Sequence, residues 1–336
     1  MTDVPAGEAL PKAPLDYLPV LLPVAFALIM APLIGSSSTW VTLTVASLAM
    51  GMMIFIMASG LTLVFGLMDV LNFGHGAFIA VGAYVGTLVL FPMLSWMQAD
   101  SLVANLMALL PAALLAMAVS GALGLVFERV LILPVYGQHL KQILITMGGL
   151  IVAEQLLYAL WGPQIIPLPL PTALRGSLVF GDIAIAKYRV LAMLVGLVVF
   201  AAILLVLNRT KIGLLIRAGV ENREMVEALG YHIKRLFLGV FMAGSALAGL
   251  GGVMWALYRE QVHASMGSDL MVLVFIVVII GGLGSVGGCF IGAIMVAMVA
   301  NYGGFLLPKL ALVSNILLMV AILMWRPRGL YAVTNR

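Results

Sequence analysis

Residues 41–66 run for 26 positions without one charged side chain, and similar apolar runs recur along the whole chain. A helix needs about 20 apolar residues to cross the hydrocarbon layer of a bilayer. Lipid offers no partner to a backbone N–H or C=O, so such a run folds as a helix that satisfies its own hydrogen bonds. Further runs lie near 17–34, 74–91, 102–127, 142–160, 190–207, 236–257 and 310–325. A longer stretch, 269–302, is interrupted by Gly281, Gly282, Gly284, Gly287 and Gly288. Each glycine costs about 1 kcal/mol against alanine inside a helix, so this cluster predicts a hinge or turn between two helices. The expected fold is therefore all-α: a polytopic transmembrane bundle of about ten spans (eight to ten), with one or more helices broken or re-entrant.

Composition excludes a soluble alternative. The chain is 64% hydrophobic and 9% charged, whereas a soluble domain carries about 25% charged residues to solvate its surface. No polar stretch is long enough for a second domain, so residues 1–336 read as a single transmembrane domain. The net charge of +4 does not point to nucleic acid, because the basic residues fall between the apolar runs. Cys289 is the only cysteine, which leaves no disulfide framework and no cysteine-based metal cluster. It reads as a packing residue.

Short cytoplasmic loops are enriched in Lys and Arg, which fixes the expected orientation. The densest basic cluster is Arg209, Lys211, Arg217, Arg223, Lys234 and Arg235, in segment 208–235, and Arg326, Arg328 and Arg336 follow at the C-terminus. Both regions are predicted to be cytoplasmic, as are 128–141 and the N-terminal segment 1–16. Residues 161–189, with Pro163, Pro167, Pro169 and Pro171, and residues 258–268 are predicted to lie outside. Residues 1–16 include Asp3 and Glu8 and lack the basic start of a cleaved signal peptide. Gly82 with Gly86, and Gly244 with Ala248 and Gly252, are spaced for close helix packing.

Segment 217–231 contains a short amphipathic helix, from an N-cap at Asn222 to a stop at Gly230. Met225, Val226 and Leu229 share one face of it, and Arg223, Glu224 and Glu227 stay polar. Such a helix docks into a groove on a soluble partner, or lies in the interface and joins two spans.

A few polar residues interrupt the apolar runs. Glu154 lies in the run 142–160, next to Gln155 and two turns after Thr146. A charge at the bilayer centre costs about 2.5–3.5 kcal/mol on insertion scales. Glu154 therefore either faces the translocation path or a partner subunit, or sits near the outer end of its span and reaches water or a cation. Asn72 and His75 flank Gly74, with Gly76 following. They either meet substrate or satisfy backbone groups freed at a bent helix start. Asn72, His75, Gly76, Thr146 and Glu154 are thus the candidates for a substrate pathway. No second His, Cys or carboxylate lies at ligand spacing from His75, so no metal site is predicted. His139 and His232 in inner loops and His263 in an outer loop read as solvated. Gly282 to Gly287 matches the G-x-G-x-x-G pattern, but no acidic residue follows within 20 positions and the stretch lies between spans, which excludes a dinucleotide site. No G-x-x-x-x-G-K-[ST] loop occurs, so this chain has no ATP site of its own.

The stretch from Gly60 to Tyr84, with Asn72-Phe73-Gly74-His75-Gly76 followed by Gly82-Ala83-Tyr84, resembles the signature of ABC-importer permeases for branched-chain amino acids. It is closer to the LivH type than to the LivM type. Glu128-Arg129 with Leu133-Pro134, the segment Thr210 to Gly252 and the glycine turn Gly281 to Gly288 are similar to further blocks of that family, in family order. The resemblance implies a permease of the bacterial inner membrane, with a second, LivM-type permease, two cytoplasmic ATPases and a periplasmic substrate-binding protein as partners. ATP and Mg would be bound by the ATPases and no cofactor by this chain. Arg217, Glu221, Arg223, Glu224, Met225, Val226, Leu229 and Gly230 would form the ATPase-coupling segment. The implied substrates are branched-chain amino acids, although similar permeases handle urea, short amides or small aromatic acids. A secondary transporter would instead need intramembrane carboxylates in both halves, and an intramembrane enzyme a catalytic set that is not visible.

Overall fold

The structure is a computed structural model that describes residues 17–221 and 223–331; the side chains at 220, 221, 223, 224, 311 and 312 lie outside that description. The expected cytoplasmic segment 1–16, the Asn222 cap and the side chains of Glu221, Arg223 and Glu224 therefore lie outside the described residues.

Thirteen α-helices are present among the described residues. Six elements are long and apolar enough to cross a bilayer: α2 (Ser37–Met68), α5 (Leu102–Phe127, prolonged to Val135), α6 (His139–Trp161), α7 (Lys187–Arg209), α10 (Ile233–Arg259) and α12 (Val286–Leu306). Four more apolar helices have 17 residues or fewer: α1 (Leu18–Ile34), α3 (His75–Leu90), α11 (Met266–Gly281) and α13 (Ala311–Trp325). Each corresponds to a run expected to span, but none has full spanning length. The short helices α4 (Leu94–Gln98), α8 (Lys211–Glu221) and α9 (Arg223–Ala228) complete the set. Pro134 lacks an N–H and its ring crowds the carbonyl four residues back. Around it α5 widens to a π-turn over Glu128–Ile132 and ends at Val135.

The core lies between α2, α3, α5, α10, α11 and α12. Of the most apolar window of α2, 78% is buried, against 11% for α6. The bare outer face of α6 carries Leu140, Leu144, Ile151 and Leu160, which is stable only against hydrocarbon. Helices in lipid approach closely only where side chains are small. Accordingly a Cβ at Gly60 would overlap the backbone of Gly244, and one at Gly82 the backbone of Gly249. Gly60 meets Gly244 while Met57 meets Gly251, so α2 and α10 run antiparallel.

Two stretches share one backbone plan. The long helix α2 ends at Asp69, in left-handed geometry (φ 54°), and six residues later α3 begins at His75-Gly76. The long helix α10 ends at Glu260, also left-handed (φ 53°), and six residues later α11 begins at Met266-Gly267. Both following helices have 16 residues. The next long helix in each, α5 or α12, opens on a serine cap, Ser101 or Ser285, and packs on the first helix of the other stretch. Because α2 and α10 are antiparallel, the two stretches form an inverted pair.

The glycine turn is where the cluster predicted it. Helix α11 ends at Gly281, Gly282 and Gly284 take φ of 95° and 85°, and α12 restarts at Val286. Gly287 and Gly288 belong to α12 instead of the turn; Gly288 packs against Gly281, so its smallness serves helix contact. The outer segment 161–189 contains more order than its prolines suggest: β2 (Ser177–Phe180) and β3 (Ile183–Ala186) form a hairpin about Gly181-Asp182. Strand β1 (Ile166–Pro167) pairs with β4 (Gln261–Val262), which ties this segment to the 258–268 loop at one end of the bundle.

At the opposite end lie the basic segments. Tyr136 donates to the Met68 carbonyl, His139 lies 3.9 Å from Asp69, and Leu330 and Tyr331 donate to the carbonyls of Ile280 and Gly281. Segment 208–235 joins them through contacts of α8 with α2 and α10. The described loops are thus gathered at the two ends in the grouping the charge pattern predicts.

Candidate functional site

The first helix break, residues 69–74, runs into the bundle from the basic end. His75 donates through Nε2 to the Met57 carbonyl at 2.9 Å, deep along α2. The Phe73 N–H donates to Thr146 Oγ1 of α6 at 3.1 Å, and Thr146 donates to the Gln142 carbonyl at 2.7 Å. Asn72, His75, Gln142 and Thr146 are buried, and Phe78 packs edge-on against His75 and Phe127. The Asn72 side chain, His75 Nδ1 and Gln142 Oε1 have no hydrogen-bond partner in this arrangement. The structure thus brings Asn72, His75, Gly76 and Thr146 into one closed polar cluster. Gln142 joins it, one turn before Thr146, where its helical spacing was the available signal. An apolar cavity of about 240 Å³ beside it is lined by Phe73, Phe275 and Leu283, among others.

The second break, residues 260–265, runs inward from the other end. The two breaks meet at Gly76 and Gly267, where a Cβ on Gly76 would lie 2.7 Å from the Gly267 carbonyl oxygen. The N-termini of α3 and α11 therefore converge inside the bundle. Glu154 is half-buried and accepts a hydrogen bond from Ser268 in the first turn of α11. It joins α6 to that convergence. His263 is not simply solvated as expected: its Nε2 lies 3.1 Å from Asp269 Oδ2, and its Nδ1 is buried.

At the basic end, α9 stops as predicted at Gly230. Its φ is 87°, the Gly230 N–H donates to Glu227 and the Tyr231 N–H to Val226, a Schellman closure. One detail of the amphipathic face is corrected. Val226 is 4% exposed and packs into the core, whereas Met225 and Leu229 are 59% and 70% exposed. The presented apolar face is therefore Met225 and Leu229, four residues apart, because α9 packs against α8 and α10 with Val226 turned into the core. Arg217 is exposed and donates to Asn208 Oδ1 at 3.3 Å.

Six apolar helices of spanning length packed into one bundle define a multi-pass membrane protein. The chain belongs to the family of the branched-chain amino acid transport system permease component, whose family model matches residues 43–324. It is 25% identical over 292 residues to the high-affinity branched-chain amino acid transport system permease protein BraD of Pseudomonas aeruginosa, covering 85% of this chain and 94% of that protein. It is 23% identical over 282 residues to LivH of Escherichia coli K12, covering 82% and 90%. A probable LivM permease of Methanocaldococcus jannaschii is 28% identical over 269 residues, covering 73% and 76%. No solved structure matches the chain.

Proposed function

We propose that this chain is the permease subunit of an ATP-driven importer for branched-chain or related small amino acids. It sits in the bacterial inner membrane with both termini cytoplasmic, about ten crossings counting α1, α3, α11 and α13, and α3 and α11 as discontinuous helices. The observation that carries the reading is the exposed pair Met225 and Leu229 on α9, at the basic end of a family permease. That pair fits a groove on a cytoplasmic ATPase, with Arg217, Glu221, Arg223, Glu224 and Gly230 in the same coupling segment. Partners are a second, LivM-type permease, two ATPases that bind ATP and Mg, and a periplasmic binding protein.

The inverted pair supports an alternating-access mechanism. Movement of α9 is transmitted through Val226 to α10, and α10 grips α2, α3 and α5. Tilting one stretch against the other about the Gly76–Gly267 contact opens the two ends in turn. The unpartnered Asn72, His75 and Gln142 atoms gain partners in the second state. A buried polar atom without one costs about 1–3 kcal/mol, which favours whichever state supplies the partners.

The test is uptake of labelled leucine by proteoliposomes holding the permease pair and ATPases, supplied with the binding protein. ATP-dependent uptake supports the reading; uptake driven by an ion gradient without ATP overturns it. Leu229→Asp should release the ATPases from the purified complex, a loss of about 2 kcal/mol or more for a central apolar anchor, while leaving membrane insertion intact.

A further inference from the structure

A cavity of about 570 Å³ opens at the end opposite the basic segments, between the end of α10, β4, the first turns of α11 and α13. It has the size of a small-ligand site. Its polar lining is sorted by charge. Arg259 is exposed and makes no hydrogen bond or ion pair among the described residues. Asp269 is the carboxylate among the lining residues, with His263, Gln261 and Asn315 as neutral polar neighbours. The Asp269 carboxylate accepts from His263 Nε2 at 3.1 Å and from Ser265 Oγ at 3.4 Å. A His263 that donates from Nε2 keeps a lone pair on Nδ1, and that atom is buried without a partner, as is Asn315 Oδ1. Met50, Trp255 and Leu273 supply an apolar wall between these poles.

A guanidinium, a carboxylate and an apolar wall are the three complements of an apolar amino-acid zwitterion. We propose that this cavity is the outward receiving subsite for such a zwitterion, an assignment that rests on the importer reading above. Arg259 takes the α-carboxylate through its planar fork of donors. The exposed Asp269 carboxylate takes the α-ammonium, and the apolar wall takes the side chain. Neutral urea or a short amide would leave Arg259 and Asp269 without opposite charges, so the lining selects against them. The subsite lies at the N-terminus of α11, and Asp269 already answers the positive end of that helix.

Gln261 also lines the cavity, and the native Cys289 is buried, so Gln261→Cys gives a single reactive thiol. The complete importer carrying Gln261→Cys is labelled in membranes with a charged maleimide. Leucine at about 10 mM should slow labelling about tenfold if it is then some ten times its Kd. 3-Methylbutylamine, lacking the carboxylate, and 4-methylpentanoate, lacking the ammonium, should not slow it. In the same background Arg259→Gln and Asp269→Asn should each remove the leucine protection without lowering the amount of assembled complex. A thiol that does not react, labelling indifferent to leucine, or equal protection by all three ligands overturns the subsite. Leucine uptake by the unaltered importer separates the two ideas: uptake without protection sinks the subsite alone, and protection without ATP-driven uptake sinks the importer reading alone.

Discussion

The two helix breaks share a backbone plan and differ in chemistry. Each follows a left-handed acidic residue, Asp69 or Glu260, and each leads six residues later to a glycine-bearing start of a 16-residue helix. The first is closed: His75 is bonded to Met57 and sealed by Phe78, next to a cavity with an apolar lining. The second is open: His263 and Asp269 line a cavity that also holds Arg259. The difference teaches that one backbone plan can carry either a sealed polar cluster or an open, charged cavity. Under the proposal above, the buried copy sets how the halves fit and the open copy receives the substrate.

The largest expected effect falls where the copies touch. Gly267→Val places a branched side chain against the Gly76 carbonyl, backbone that cannot give way. A loss of about 3 kcal/mol is expected, visible as a lower melting temperature of the purified complex. Gly76→Ala should cost less, since its Cβ would meet the Gly267 carbonyl less deeply. Next, His75→Ala removes the side-chain hydrogen bond to the Met57 carbonyl and leaves a void behind, for a loss of about 2 kcal/mol. His263→Ala, at the open copy, should change stability by less than about 0.5 kcal/mol and yet impair uptake. Equal stability losses at the two histidines would break the comparison.

Glu154→Gln keeps an acceptor for Ser268 but removes its charge, so the α6–α11 link weakens by about 1 kcal/mol. Slower uptake with unchanged complex yield is expected, and wild-type kinetics would leave Glu154 a purely structural residue. The smallest effect concerns the caps. Glu260→Gly should stabilise the protein by somewhat less than about 1 kcal/mol by relieving a left-handed side chain. Asp69→Gly should gain less, because aspartate tolerates that conformation better. Parallel thermal scans of the two variants resolve the order.

Much of this was legible in the chain. Apolar runs located the helices, five glycines marked the α11–α12 turn, and the Lys and Arg pattern anticipated which loops share an end. The inverted pair was not legible, because 69–76 and 260–267 share only an acidic residue and a glycine at matching places. Close packing constrains size and backbone angle at these positions, and chain chemistry elsewhere in the repeat is free to diverge. The hairpin at 177–186 was hidden by reading its neighbours as a proline-rich loop, although Gly181-Asp182 between alternating apolar residues is a hairpin signal. His263 looked solvated because Asp269 lies six residues on, across a helix start that brings the two together only in the fold. Val226 was grouped with Met225 by helical spacing alone, which cannot tell which part of an apolar face turns down onto α10.

The central claim is that the two copies of the plan face opposite sides of the membrane, and thiol labelling of variants with one added cysteine, the native Cys289 being buried, tests it most directly. His139→Cys stands beside Asp69 at the first break and Gln261→Cys stands beside Glu260 at the second. With a membrane-impermeant maleimide, intact cells should label Gln261→Cys and spare His139→Cys, and inside-out vesicles should do the reverse. Labelling of both positions from the same side would contradict the inverted arrangement and the transport cycle built on it.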